Sequence, residues 1–183
     1  DLMSWHLFWD NHTGNDHLFQ AVAKNYFKNF ITTFSCDKQT RILDYGCGPG
    51  FLADMLAENV GQIFLYDISS AMLEKAAQQN QRHANTKIVN TISDPGICDL
   101  DFVLANSVIQ YLNGEQFSQM LRALYPLLKK GGQVIISDII PYRLDTLSET
   151  ADLLKNAYTK GYLMGQFLQI AGLFLSNYKS IAK

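Results

Sequence analysis

A short apolar run, Arg41-Ile42-Leu43-Asp44-Tyr45, breaks into Gly46-Cys47-Gly48-Pro49-Gly50, and apolar residues then resume at helical spacing with Phe51, Leu52, Met55 and Leu56. Glycines at alternate positions tolerate positive φ and carry no β-carbon, so a ligand can lie against the backbone there. The order strand, glycine turn, helix is the strongest constraint on the fold, and it is followed by repeats of the same alternation. Gln62–Tyr66 reads as a second strand ending at Asp67, followed by a helix from about Ser70 to His83 rich in alanine, glutamine and leucine. Lys87–Ile92 reads as a third strand and Asp101–Ala105 as a fourth. Phe117, Met120, Leu121, Leu124 and Leu128 mark a further helix before Gly131-Gly132, and Gln133–Ile139 makes a fifth strand. Upstream, Leu18, Phe19, Val22, Ala23, Tyr26, Phe27 and Phe30 follow helical spacing, with Asn15 or Asp16 placed to cap the first turn.

Alternating strands and helices predict an α/β fold, a doubly wound and mostly parallel sheet with helices on both faces. In such a sheet ligands bind at the carboxyl ends of the strands, where the connecting loops splay apart. Four stretches fall at that edge: Asp44 with the glycine turn, Asp67, Ile92–Asp94, and Asn106–Ser107. With 48% hydrophobic residues in 183, the chain can bury the core of one domain. A formal net charge of -2 supplies no general attraction to phosphate, which argues against a nucleic-acid partner. Cys36, Cys47 and Cys98 are odd in number and far apart, so neither a metal site nor a disulfide framework is expected. No leader pattern opens these residues, and no apolar run of about eighteen residues follows. A soluble, cytoplasmic protein is therefore expected.

The turn itself discriminates between ligands. Gly48-Pro49-Gly50-Phe51-Leu52-Ala53 fits the G-x-G-x-x-A pattern of dinucleotide sites. Asp44, two residues before the first glycine, opposes that reading: a carboxylate there would repel a diphosphate and suits a ligand carrying an ammonium and a sulfonium. Asp67 fits both, because a carboxylate at the end of the second strand can accept hydrogen bonds from two ribose hydroxyls.

Together these stretches resemble the class I S-adenosylmethionine-dependent methyltransferases, over roughly Arg41 to Pro141. Arg41 through Gly50 is similar to the family's first motif, and Tyr66-Asp67-Ile68-Ser69 to its acidic ribose position. Asp101-Phe102-Val103-Leu104-Ala105-Asn106-Ser107 resembles its fourth-strand motif, and Leu127 through Ser137 the helix, turn and fifth strand of many small-molecule methyltransferases. The resemblance implies a Rossmann-like sheet of strand order 3-2-1-4-5, S-adenosylmethionine as cofactor, S-adenosylhomocysteine as product, and methyl transfer to a small-molecule acceptor. Carried over by position, Gly46 and Cys47 would pack against the methionine end, with Asp44 and Gly48 also among the cofactor-binding residues; Asp67 would hold the ribose, and Ile68 and Met72 would touch adenine. Ser93 and Asp94 would fall in the adenine loop, and Asn106 would approach the methionine or sulfonium region.

No catalytic residue is assigned. Tyr111, Tyr142, His6 and His12 are candidate bases, and Gln110 stands where many relatives have histidine. The Asn-Pro-Pro-aromatic motif of many enzymes that methylate amino groups of nucleic acids or proteins is missing, since Asn106 is followed by Ser-Val. Competing readings are a dinucleotide oxidoreductase, a non-catalytic cofactor-binding module, and a propylamine-transferring relative. The core spans 41–141. Residues 1–40, with Trp5, Phe8 and Trp9, are expected to form an amino-terminal helical lid segment, and 142–183 a helical, apolar carboxy-terminal one, all in one domain. Nothing from Arg143 to Lys183 alternates like the family's two closing strands, so the sheet is expected to be incomplete within these residues.

Overall fold

The computed structural model describes Asp10 and residues 16–138, all within the compact unit Asp1–Ile140. His6, His12, Trp5, Phe8, Trp9, Asn15, Ile139, Tyr142 and the whole 142–183 segment lie outside the described residues. Helix α1 (Asp16–Thr33) precedes strand β1 (Arg41–Tyr45), which runs into α2 (Phe51–Leu56) and β2 (Gln62–Tyr66). Helix α3 (Ser70–Asn80), β3 (Thr86–Ile88), β4 (Leu100–Asn106), α4 (Gly114–Leu124) and β5 (Leu128–Ser137) follow.

The five strands form one sheet in the order β3-β2-β1-β4-β5, and every pairing is parallel. This is the expected 3-2-1-4-5 arrangement. The order in which successive strands are added reverses between β1 and β4, where the loops after the two strands separate and open a crevice at the carboxyl edge. Strand β1 lies at the centre with both faces covered, so it reads as a continuous apolar run: Ile42 and Leu43 are both fully buried. Their side chains alternate between two cores. Ile42 packs with Phe30, Leu52, Leu56 and Leu104, on the face covered by α1, α2 and α3. Leu43 packs with Phe64, Val103, Met120 and Leu124, on the face covered by α4.

Helix α1 is held to the sheet by aromatic contacts. The ring of Phe30 meets Phe102 of β4 edge to face at a centroid separation of 5.4 Å, and Phe34 lies 5.3 Å from the same ring. A capping box starts α4: Asn113 accepts from the Gln116 N–H at 2.9 Å, and the Gln116 side chain accepts from the Asn113 N–H at 2.9 Å.

Three boundaries differ from the sequence reading by more than two residues. The third strand was expected over Lys87–Ile92, but it ends at Ile88 with one more ladder bond from the Val89 N–H to the Leu65 carbonyl. Beyond it the chain turns on its own side chains: Thr91 Oγ1 accepts from the Ser93 N–H, and Asp94 Oδ1 from the Gly96 N–H. The helix after β2 stops at Asn80 instead of His83. Leu128, counted as helical, opens β5 and pairs with Leu100, because Pro126 ends the helical path and leaves one tight turn over Tyr125–Leu127. The next pairing in register is Phe102 with Gln133, so β5 bulges at 129–132. A β-carbon on Gly132 would stand 2.4 Å from the Leu100 carbonyl oxygen, which explains the glycine there.

Phe30 is 3% exposed. Phe30→Ala should destabilise the fold by about 3–5 kcal/mol, the usual cost of truncating a buried phenylalanine, read as a lower urea midpoint. A change below about 1 kcal/mol would mean that α1 does not depend on this contact.

Candidate functional site at the carboxyl edge of the sheet

The glycine turn is fixed to the neighbouring strand by its own backbone. The N–H groups of Gly46 and Cys47 both donate to the Tyr66 carbonyl, at 2.8 and 3.0 Å. Gly46 has φ 79°, and a β-carbon there would come 2.6 Å from Val108 Cγ2 in the turn after β4. That position needs glycine both for its backbone angle and for packing. Gly48, at φ 53°, differs: a β-carbon would meet nothing within 4 Å, so its backbone faces open space.

Beside this open backbone lie two carboxylates in unlike surroundings. Asp44, 4% exposed, has an Oδ2 atom with no hydrogen-bond partner among the described residues. Burial, and after it the charge of Asp67, pushes its carboxyl up from the ordinary 3.8 to about 7. Asp67 is well bonded: Oδ2 accepts from the Gly48 N–H and Oδ1 from the Ser69 N–H, each at 2.9 Å. Burial still raises its carboxyl, opposed by the Ser69, Gly48 and Ile68 N–H groups, and the charge of Asp10 adds to the rise. Asp10 is joined to the same corner, its Oδ1 accepting from Ser69 Oγ at 2.6 Å. Ser69 Oγ also accepts from the Met72 N–H at 3.2 Å and so caps α3. Three acidic groups thus converge on the turn, an environment that attracts a cation and repels a diphosphate.

The structure brings Asp44, Gly46, Cys47, Gly48, Asp67 and Ile68 together at the ends of β1 and β2. Ile68 is 47% exposed, an apolar side chain open to solvent beside a polar corner. Met72, at 2%, is interior. The Cys47 thiol is held well above its ordinary range, first by burial and then by the charges of Asp44 and Asp67.

Ser93 and Asp94 are not brought to this corner in the same way. Asp94 is occupied by Lys87, 3.0 Å away, whose hydrogen bond holds the carboxyl below its usual range. Because Leu65 pairs with Ile88, continuing the register sets Asn90 level with Asp67 at the sheet edge. A third strand running to Ile92 hides Asn90, because the strand ends at Ile88. The polar pair Asn90-Thr91 breaking the apolar run was the signal that could have found it. Asn80 was missed too: buried in α3, it donates to the Gly50 carbonyl at 3.0 Å and so braces the glycine turn from behind.

The ends of β4 and β5 are tied together by side chains. Ser137 Oγ donates to Asn106 Oδ1 at 2.9 Å, the Ser107 N–H donates to the Ser137 carbonyl at 3.0 Å, and Ser107 Oγ donates to Asp138. Ser107 and Asp138 both have positive φ, 57° and 54°, a strained conformation for residues other than glycine. Tyr111 follows in the adjoining turn, its phenol raised by burial, lowered by a bond from Gln110 and raised again by the Asp138 charge. Gln110 Oε1 is buried without a partner among the described residues.

A family profile described as "Methyltransferase domain" matches residues 42–132, which run from β1 through the glycine turn, Asp67 and β4 into β5. The chain belongs to the S-adenosylmethionine-dependent methyltransferases. It is 32% identical over 119 residues to the carboxy-S-adenosyl-L-methionine synthase of Trichodesmium erythraeum, covering 61% of this chain and 47% of that one. It is 29% identical over 120 residues to the N-demethylindolmycin N-methyltransferase of Streptomyces griseus, covering 61% and 49%. The chain thus spans about half the length of these curated relatives. Among solved structures, the fold is shared with Haemonchus contortus phosphoethanolamine N-methyltransferase 1, in complex with phosphoethanolamine and S-adenosylhomocysteine, at TM-score 0.61 and 14% identity, over 74% of this chain and 31% of that one. S-adenosylmethionine is the cofactor of this methyltransferase family. The acidic corner fits its charge: the bare Oδ2 of Asp44 lacks a donor, and the backbone at Gly48 leaves room for a ligand. Among the described residues no helix is long and apolar enough to cross a membrane, and no group of three or more His, Cys, Asp or Glu could hold a metal ion.

Asp44 has a consequence for stability. Its folded-state carboxyl, near 7, lies above the ordinary 3.8, so the folded methyltransferase keeps a proton that the unfolded chain releases between those values. Its contribution is fully present below about 3.8, and stability is lost as pH rises towards 7. Asp44→Asn removes this loss. In ligand-free thermal denaturation the variant should gain on the wild type from about pH 4 to pH 7 and hold a constant advantage above. An advantage that does not change with pH would show that the carboxylate is compensated in the native fold.

Proposed function

We propose that this protein transfers a methyl group from S-adenosylmethionine to a small-molecule acceptor bound at the carboxyl edge of β4 and β5. The observation that carries this reading is the buried, partnerless Oδ2 of Asp44 beside the open backbone of Gly48. A lone buried carboxylate is costly, and a cationic ligand offsets that cost by supplying the missing donor.

In this reading Asp44 takes the ammonium of the cofactor's amino-acid end, while the backbone of Gly46, Cys47 and Gly48 lies along it. Asp67 accepts from the two ribose hydroxyls while the Gly48 and Ser69 N–H groups hold its carboxylate in place. Ile68 covers one face of the adenine, with Met72 as the wall behind it. The loop of Asn90, Ser93 and Asp94 closes the adenine end, with Asn90 nearest in register. Asn106, its side-chain oxygen held by Ser137, borders the sulfonium. The bound cofactor supplies an already activated methyl group, so the chain's task is to align the acceptor in line with it and exclude water. Rate then comes from position, and no base is assigned. The acidic surroundings and the net charge of -2 support a small molecule over a nucleic acid as acceptor. Three cysteines without a disulfide, Cys36, Cys47 and Cys98, support a reducing, cytoplasmic setting.

Titration calorimetry should detect S-adenosylmethionine and S-adenosylhomocysteine and show no heat with NAD. Asp67→Ala should weaken the two adenosyl ligands by about 10- to 100-fold, the usual range for losing hydrogen bonds to a charged group. Incubating the protein with methyl-labelled cofactor and a metabolite extract should then place label in a small molecule. NAD binding in the wild type, or adenosyl affinity indifferent to both Asp44→Asn and Asp67→Ala, would overturn the assignment.

A further inference from the structure

Tyr26 lies in the apolar stripe of α1, where helical spacing marks it as a core residue, yet its hydroxyl is buried and has no hydrogen-bond partner within the described structure. Its ring stacks on Phe30, with centroids 6.2 Å apart and planes within 13°, and Phe30 packs in turn on Phe102. Helix α1 runs against the strand direction, because the chain leaving it after Thr33 enters β1 at Arg41. Tyr26 is therefore one turn, about 6 Å, nearer the carboxyl edge than Phe30. Two residues along a strand cover about the same distance, which brings Tyr26 level with Leu104, the register partner of Asp44.

The side chains agree with this placement. Ile42 packs in the same core as Tyr26, and Asp44, two residues further along β1, points to that face as well. On β5 Ile135 belongs to this core and Ser137 follows two residues later. The same neighbours make the phenol harder to ionise than usual: burial raises its pKa most, Ser137 lowers it, and the charge of Asp44 raises it further. Ser137 acts on the phenol without meeting the distance and angle of a hydrogen bond, and the hydroxyl has no partner among the described residues. Two buried polar atoms, Asp44 Oδ2 and the Tyr26 hydroxyl, are thus left without partners on one face and at one level of the sheet.

We propose that Tyr26 is a cofactor-positioning residue: its hydroxyl and the Asp44 carboxylate together receive the amino-acid end of the adenosyl ligand. Asp44 accepts from the ammonium and Tyr26 donates to the neighbouring carboxylate, so a zwitterionic group completes both. This rests on the cofactor reading above. It adds α1 to a site otherwise built from strand ends, and it explains a hydroxyl that the fold itself does not use. An unpartnered buried hydroxyl costs stability, so in the ligand-free protein phenylalanine is at least as good at this position.

The test compares Tyr26→Phe with the wild type against two ligands, S-adenosylhomocysteine and 5′-methylthioadenosine, which keeps the adenosine but lacks the amino-acid end. The variant should bind S-adenosylhomocysteine about tenfold more weakly and methylthioadenosine with unchanged affinity, while its ligand-free melting temperature stays level or rises. Equal weakening of both ligands, an unchanged affinity for S-adenosylhomocysteine, or a lowered ligand-free melting temperature would each overturn the role given to Tyr26 and leave the cofactor assignment standing. A wild type that binds neither ligand would overturn both.

Discussion

The burial of β1 on both faces governs the rest of the molecule. A strand with solvent on one side could carry alternating polar residues; this one carries Ile42 and Leu43 at zero exposure and sends them into two separate cores. Helices must then cover both faces, and the pairing partners β2 and β4 must lie on either side. From that follow the reversal of strand order beside β1 and the crevice at its carboxyl end. The same burial makes Asp44 unusual. It continues the strand, and its side chain points inward on the α1 face where an apolar residue would otherwise pack.

Charge at this corner is arranged in opposition. Asp67 holds the backbone of the glycine turn and the start of α3, so its carboxylate does structural work even without a ligand. Asp44 has no such task, and Asp10 adds a third negative group next to Ser69. One acid organises the corner while another leaves it in need of a cation. A site prepared in this manner favours ligands by their charge before any finer recognition of shape.

Much of this was legible in the letters. Five apolar runs separated by helical spacing gave the sheet, and the motifs from the glycine turn to the fifth strand resembled the methyltransferase family whose profile matches the chain. The misreadings have physical causes. Residues 87–92 look apolar enough for a strand, but the neighbour β2 ends at Tyr66 and Thr91 and Asp94 offer the backbone alternative partners, so β3 stops short and Asn90 takes the edge. Leu128 satisfied the helical period yet was carried into β5 by Pro126. Tyr26 escaped notice for a deeper reason: periodicity reports that a ring is inside and says nothing of whether its hydroxyl has found a partner. Asn80 was hidden likewise, because a contact across 30 residues to the Gly50 carbonyl leaves no local pattern.

Cys47 sits in the turn with both carboxylates near it, and its thiol is kept far from ionising. The thiolate is the nucleophilic form of cysteine, and a protonated sulfur reacts slowly with electrophiles. An alkylating molecule lodged against this backbone therefore meets an inert neighbour. Burial first, and the two carboxylates after it, keep this sulfur in the form that is slow to react with an electrophile placed beside the turn.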